Sequence, residues 1–270
     1  MSNHTTNPTI KSPSSDAPTK TNTTTGMSSL VKGLSVIEAF YEQGTKMTIA
    51  DVARATGLNR ASARRCLHTL VECGYLSFGG KFFEPTPRVL RLGNSYNKVA
   101  SLPKIAQPFL DTARDRLDES ISLTVLEDEC SVFVARSEAN NMINIGLALG
   151  SNIPAHSCAT GRVLLSDYTD DDLEDYLKRC KPAARTTNAI TDPLAIRQSI
   201  EAARSNNYAI TDEELELGLR SIAIPVRNSD GEIVAAISAS TLTMRKTIEE
   251  MISEFFPVLS QTAEDLARVL

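Results

Sequence analysis

From residue 30 onward, apolar residues recur at helical spacing. Leu30, Leu34, Ile37 and Tyr41 predict an amphipathic helix that ends near Gly44. Thr48 suits the N-cap of a short helix through Thr56 that buries Ile49, Val52 and Ala53. Gly57 supplies a turn, and Asn59 caps a third helix that runs to about Cys73, with Gly74 as its stop. Ala63, Cys66, Leu67 and Leu70 form the inward stripe of that helix. Two aromatic-rich runs, Tyr75-Leu76-Ser77-Phe78 and Lys81-Phe82-Phe83, flank Gly79-Gly80 and predict a small β-hairpin, which Pro85 and Pro87 close. Three helices and a hairpin over residues 30–87 give the outline of a winged helix-turn-helix.

Residues 88–102 read as a linker helix, and Pro103 opens a second domain over 103–270. There the pattern predicts a helix at 104–118, strands at 121–127, 131–137 and 142–148, and helices at 158–166, 170–179 and 193–205. Strands at 220–227 and 233–240 flank the turn Asn228-Ser229-Asp230-Gly231. Apolar residues at 248, 252, 255, 259, 266 and 270 predict a C-terminal helix, which Pro257 should kink. The fold class is α+β: an antiparallel sheet with helices packed on it. Residues 1–29, rich in Thr, Ser, Asn and Pro, read as a disordered tail.

Composition narrows the function. The chain has 270 residues, 41% apolar and 23% charged, which suits two globular domains better than wholesale disorder. No run approaches the ~18 apolar residues of a membrane span, and the first 26 residues lack the apolar centre of a secretory signal. Five cysteines form no CxxC pair and only three histidines are present, so a cytoplasmic setting without metal or cofactor is expected. The net charge of −5 is unevenly spread: residues 30–100 hold ten basic and five acidic side chains, whereas 101–270 hold 16 and 27. A basic small domain joined to an acidic large one points to a polyanion partner for the first alone.

In a helix-turn-helix the second helix of the motif presents its first turns to the major groove. Asn59, Arg60, Ser62, Arg64, Arg65 and His68 fall on or beside the outer face here, and Lys81 adds a cation in the hairpin. Arg suits guanine, Asn suits adenine, and Ser reaches phosphate or base. The competing reading is a solvated face for the two adjacent arginines and packing beside the helix for His68. The ensemble of short helix, glycine turn, arginine-bearing helix and hairpin favours double-stranded promoter DNA.

The segments LVKGLSVIEAF, LNRASARRCLHTLVECGYL and FEPTPRVLRLG, with IPAHSCATGRVLLS (153–166) and DEELELGLRSIAIPVRNSDGEIVAAISAS (212–240), resemble the IclR-type bacterial transcriptional regulators over about residues 28–270. The run RVLRLGNSYNKVASLPKIAQPFL is similar to the branch that controls aromatic-acid catabolism through the β-ketoadipate route. The resemblance implies a GAF-like effector domain and DNA binding as a homodimer or homotetramer, with RNA polymerase as a further partner open to it. It carries an effector-contacting role to Ala159, Thr160, Thr211, Ser221, Ser238 and Ser240. Family members often have an acidic residue where Thr211 stands and Cys where Ser221 stands.

The residues allow a physical reading of that pocket for a small carboxylic acid, aromatic or otherwise. Ser157 could cap a helix starting at Cys158, leaving the N–H groups of Ala159, Thr160 and Gly161 to face a carboxylate, with Gly161 admitting a close approach. Ser238 and Ser240 have the i, i+2 spacing of one strand face, which could equally be the polar side of a half-buried strand. Arg136, in VFVARS, could neutralise an acid or point to solvent, and His156 joins the candidates. Cys158 and His156 also raise a hydrolase reading. No third orienting group, nucleophile elbow, Rossmann motif or phosphate loop accompanies them, so no catalytic residue is assigned.

Overall fold

The computed structural model describes residues 27–44, 46–93, 101–139 and 148–270. The chain divides into two compact units, one running to Gly93 and the other from Asn94. Among the described residues no helix is long and apolar enough to cross a membrane.

In the first unit, α1 (Ser28–Gln43), α2 (Ile49–Thr56) and α3 (Arg60–Glu72) enclose a core of Val36, Phe40, Val52, Ala63, Leu67 and Leu70. The sequence signals act as local chemistry requires. Thr48 and Asp51 form a reciprocal capping box at the start of α2, and Gly57 ends that helix at φ 67°, where a Cβ would be strained. Asn59 caps α3 by accepting from the Ser62 N–H at 2.8 Å. Strands β1 (Leu76–Phe78) and β2 (Phe83–Pro85) form the hairpin, and Met47, ahead of α2, makes an antiparallel bridge to Phe83 of β2. Two boundaries shift. α1 begins at Ser28, inside the segment read as tail, while residues 1–26 lie outside the described residues. The second hairpin strand begins at Phe83, so Lys81 and Phe82 belong to its exposed turn.

Within the linker segment 88–102, residues 90–93 are helical and 94–100 lie outside the described residues. In the second unit α4 (Ser101–Leu117) starts before Pro103, because a proline in the first turn forfeits no intrahelical bond. A six-stranded antiparallel sheet follows, in the order β5-β4-β3-β8-β7-β6, from β3 (Ser120–Glu127), β4 (Cys130–Ser137), β5 (Asn152–Pro154), β6 (Ala209–Asp212), β7 (Leu219–Arg227) and β8 (Ile233–Leu242). Edge strands β5 and β6 were absent from the sequence reading, being too short to show alternation. The strand expected at 142–148 lies outside the described residues except for Ala148, which is not in a strand.

One sheet face packs Leu123, Ile224 and Ile237 against Leu110 of α4 and against Phe255, Leu259 and Leu266 of the C-terminal helix. That helix comprises Ile248–Glu250, a π turn Met251–Phe255, and Phe256–Ala267. The irregularity falls where Pro257 removes a backbone donor, and the wider turn carries the Phe256 N–H to the Met251 carbonyl. On the opposite face α5 (Ala159–Leu165) lays Ala159 and Val163 against Ala223 and Ala236. Outside it, Leu173 and Tyr176 of α6 (Asp170–Arg179) meet Ile196 and Ile200 of α7 (Pro193–Asn206).

Candidate functional site

A narrow cavity, with about 20 Å³ of room for the centre of a water-sized sphere, lies where α5 starts over the sheet. Its polar wall is built by register. Thr211 on β6 pairs with Ser221 on β7, which pairs with Ser240 on β8, so three hydroxyl residues stand in a row across three strands. The Ser221 and Ser240 hydroxyls are 2.8 Å apart, and Ser238 lies two residues along the same face. Thr160 faces this row from the helix, with its hydroxyl 2.8 Å from that of Ser131. Phe133, Ile153, Leu215 and Leu219 form the apolar walls, and Cys158 and Ala159 complete the helix side. No side chain lining the cavity, among the described residues, carries a charge. The lining sets hydroxyls on one side against apolar side chains on the other, the mixture found in small-molecule sites.

In the first unit Arg60, Arg64 and Lys81 are exposed, the Lys81 ammonium standing 5.2 Å from the centre of the Phe82 ring. Arg65 is exposed beside a groove between α1 and α3, which Leu30, Leu34, Ile37 and Leu92 also line. Such exposed cations at the start of a helix, next to a hairpin, can meet a phosphate backbone and base edges.

Two family descriptions match this chain: "IclR helix-turn-helix domain" over residues 29–79 and "Bacterial transcriptional regulator IclR C-terminal" over residues 94–268. The chain belongs to the IclR family of bacterial transcriptional regulators. Across 245 residues it is 38% identical to the Pca regulon regulatory protein of Pseudomonas putida, covering 90% of this chain and 84% of that protein. It is 35% identical to the p-hydroxybenzoate hydroxylase transcriptional activator of Acinetobacter baylyi, covering 89% and 91%. Among solved structures, a double mutant of the inducer-binding domain of PobR from Acinetobacter, in complex with 3-hydroxybenzoic acid, superposes with a TM-score of 0.60 at 32% identity. It covers 63% of this chain and 100% of that one.

Within the IclR-family frame, several expected residues stand elsewhere. Ser157 does not cap α5; it belongs to a 3₁₀ turn, Ala155–Ser157, and its hydroxyl donates to the Pro154 carbonyl at 2.8 Å, leaving Cys158 at the cap position. Gly161 serves packing: a Cβ there would lie 2.1 Å from the Ala155 carbonyl oxygen, so the turn uses the space that a ligand was expected to approach. His156 is buried beneath that turn, with Nδ1 2.9 Å from the Tyr176 hydroxyl, and it does not line the cavity. Burial, and then the Arg162 charge, lower its pKa. Arg136 lies in a separate polar groove with Gln107, Asp111 and Glu138, its Nε 3.3 Å from a Glu138 carboxylate oxygen.

On the helix-turn-helix, Ser62 is buried rather than outward-facing, and the Asn59 carbonyl oxygen is engaged by the cap. His68 is half-buried and meets Phe78 and Phe83 edge-on, at 5.7 and 5.6 Å between ring centres, so it packs α3 onto the hairpin. The sequence reading missed Phe133, Ile153, Leu215 and Leu219 in the cavity. The apolar run Val132-Phe133-Val134-Ala135, which marks a strand, was a usable signal. For Leu215, on a loop, none existed. Among the described residues no cluster of three or more His, Cys, Asp or Glu side chains is placed to hold a metal ion.

Proposed function

We propose that this regulator binds double-stranded promoter DNA through α3 and its hairpin, and that a small aromatic acid bearing hydroxyl or carboxylate groups gates it from the cavity. The observation that carries the effector reading is the hydroxyl row Thr211–Ser221–Ser240, with Ser238 and Thr160 beside it, set against Phe133 and the leucines. The names of the two relatives, concerned with the Pca regulon and p-hydroxybenzoate hydroxylase, and the hydroxybenzoate held by the PobR domain, support an aromatic acid over other small acids. With no charged side chain among the described lining residues, a carboxylate would be held by hydroxyls and by backbone N–H groups where α5 starts.

Residues 30–87 act as the DNA-binding domain and 103–270 as the effector domain, in a cytoplasmic homo-oligomer. Arg60, Arg64 and Lys81 are the groups best exposed for phosphate and base contact, with Arg65 at the margin. Leu30 and Leu34, 59% and 47% exposed on α1, support subunit contact there, because exposed leucines in one stripe need a cover. The reading is regulatory and not catalytic: His156 is turned to Tyr176, and burial pushes the Cys158 thiol up, away from a reactive thiolate.

The test is calorimetric titration of the full chain with 4-hydroxybenzoate, 3-hydroxybenzoate, protocatechuate, muconate and β-ketoadipate. At least one aromatic acid should bind, and Thr160→Val with Ser238→Ala should weaken it without changing ligand-free DNA affinity. Binding that ignores both substitutions would move the pocket elsewhere.

A further inference from the structure

One wall of the cavity is not part of the sheet or of α5. Leu215 reaches the cavity from the loop at 213–218, between β6 and β7. That loop is fastened at several points. The Glu213 N–H donates to the Leu219 carbonyl at 2.8 Å, and the Gly218 N–H donates to the Glu213 carboxylate at 2.7 Å. The Thr186 hydroxyl lies 2.7 and 3.2 Å from the carbonyls of Glu213 and Glu214.

The charged fastening is different in kind. Arg162 donates through both terminal nitrogens to the two carboxylate oxygens of Glu214, at 2.8 and 2.5 Å, and through Nε to the His156 carbonyl at 3.0 Å. The side chains are 3% and 8% exposed. Arg162 stands on α5 two residues after Thr160, whereas Glu214 immediately precedes Leu215. One ion pair therefore ties the helix side of the cavity to its loop side, although neither residue lines it.

A buried bidentate pair is a brittle contact. It is satisfied only in a narrow geometry, and separating its members leaves uncompensated buried charge. It therefore favours two discrete loop positions over a continuum. We infer that Arg162 and Glu214 are positioning residues for the effector, holding Leu215 over the cavity so that the bound acid leaves only when the pair parts. This rests on the cavity being the effector site, as proposed above.

The experiment uses the full chain and 4-hydroxybenzoate as the probe. Arg162→Met with Glu214→Leu replaces the pair by apolar side chains of similar bulk, a change that buried ion pairs often tolerate, whereas either single truncation risks unfolding. Stopped-flow displacement reads ligand release, and amide hydrogen exchange reads the loop against β3 and the C-terminal helix. The double variant should release ligand about tenfold or more faster, with a smaller change in association rate. Exchange at 214–218 should rise about tenfold or more while β3 and the C-terminal helix stay protected. Arg162→Lys, which keeps the charge and loses the fork, should fall between wild type and the double variant.

Wild-type release rates in the double variant, or exchange that rises equally throughout the unit, would overturn the inference. If the wild-type chain binds no acid of the panel, the effector reading has failed. Exchange then decides alone: a local rise at 214–218 upholds the pair as the loop's fastening, and a uniform rise or none rejects it.

Discussion

Ser221 and Ser240 stand opposite each other on adjacent antiparallel strands, and their hydroxyl oxygens lie 2.8 Å apart at the cavity wall. Each hydroxyl can both donate and accept, so a ligand oxygen can join this pair without leaving either group unsatisfied. Ser240→Ala should cost about 1 kcal/mol of stability in denaturant titrations of the ligand-free chain, the usual net value of one such bond. It should also weaken aromatic-acid binding about fivefold to tenfold. Unchanged affinity would remove the pair from the binding wall.

Gly161 separates a packing role from a ligand role. Its added Cβ would meet backbone, which cannot swing aside. Gly161→Ala should destabilise the chain by about 3 kcal/mol through overpacking, seen as a lowered melting temperature without ligand. A stable Gly161→Ala chain that no longer binds ligand would restore the ligand role.

His156 gives the effector unit a pH dependence of known sign. Its folded pKa lies below the ordinary 6.5 because burial and Arg162 disfavour the imidazolium. The unfolded chain therefore binds the proton first as pH falls. The stabilisation is complete above 6.5 and is lost as pH drops from there through the folded value. Melting temperatures between pH 7.5 and 5 should fall, and His156→Gln should flatten the part of the slope just below 6.5. An unchanged slope would mean that His156 is not the group responsible.

The exposed cations of α3 should act separately from its packing residues. Arg60→Ala and Arg64→Ala should each cost about 1–3 kcal/mol of DNA affinity, and removing a cation that neutralises one phosphate should lower the salt slope by about 1. His68→Ala should instead lower the stability of the first unit, because its ring packs on Phe78 and Phe83. Full-strength DNA binding by both arginine variants would exclude α3 as the reader.

Assembly can be tested on α1. Under the proposed assembly through α1, Leu30→Glu with Leu34→Glu places two charges on an exposed apolar stripe, so the variant should sediment as a monomer where the wild-type chain associates, with its fold intact. An oligomer that survives both changes would put the subunit contact elsewhere.

The helices of the first unit were legible because their caps and turns are local. Thr48, Gly57 and Asn59 act within three residues of the groups that they satisfy. The long strands were legible from apolar runs. What escaped depends on pairing across distance: β5 and β6 exist only through their partners, and the row Thr211–Ser221–Ser240 is a fact of register that no spacing within one strand reveals. The same holds for errors at single residues. Ser62 and His68 fell on the outward arc of a helical wheel, yet α1 and the hairpin cover that arc on two sides. Arg136 pairs with Ser122, which pairs with Ser238, so it shares the sheet face of the hydroxyl row, yet its guanidinium meets Glu138 and does not line the cavity.

The claim that joins the two units is that an acid in the hydroxyl-lined cavity changes how the chain holds its promoter. The direct measurement is DNA affinity of the full chain at fixed salt, with and without saturating 4-hydroxybenzoate, for wild type and for Thr160→Val with Ser238→Ala. The account predicts that the ligand shifts wild-type affinity by about fivefold or more in either direction, while the double variant keeps wild-type affinity without ligand and loses the shift. Equal affinity with and without a ligand shown by calorimetry to be bound, or a shift that survives both substitutions, would contradict it.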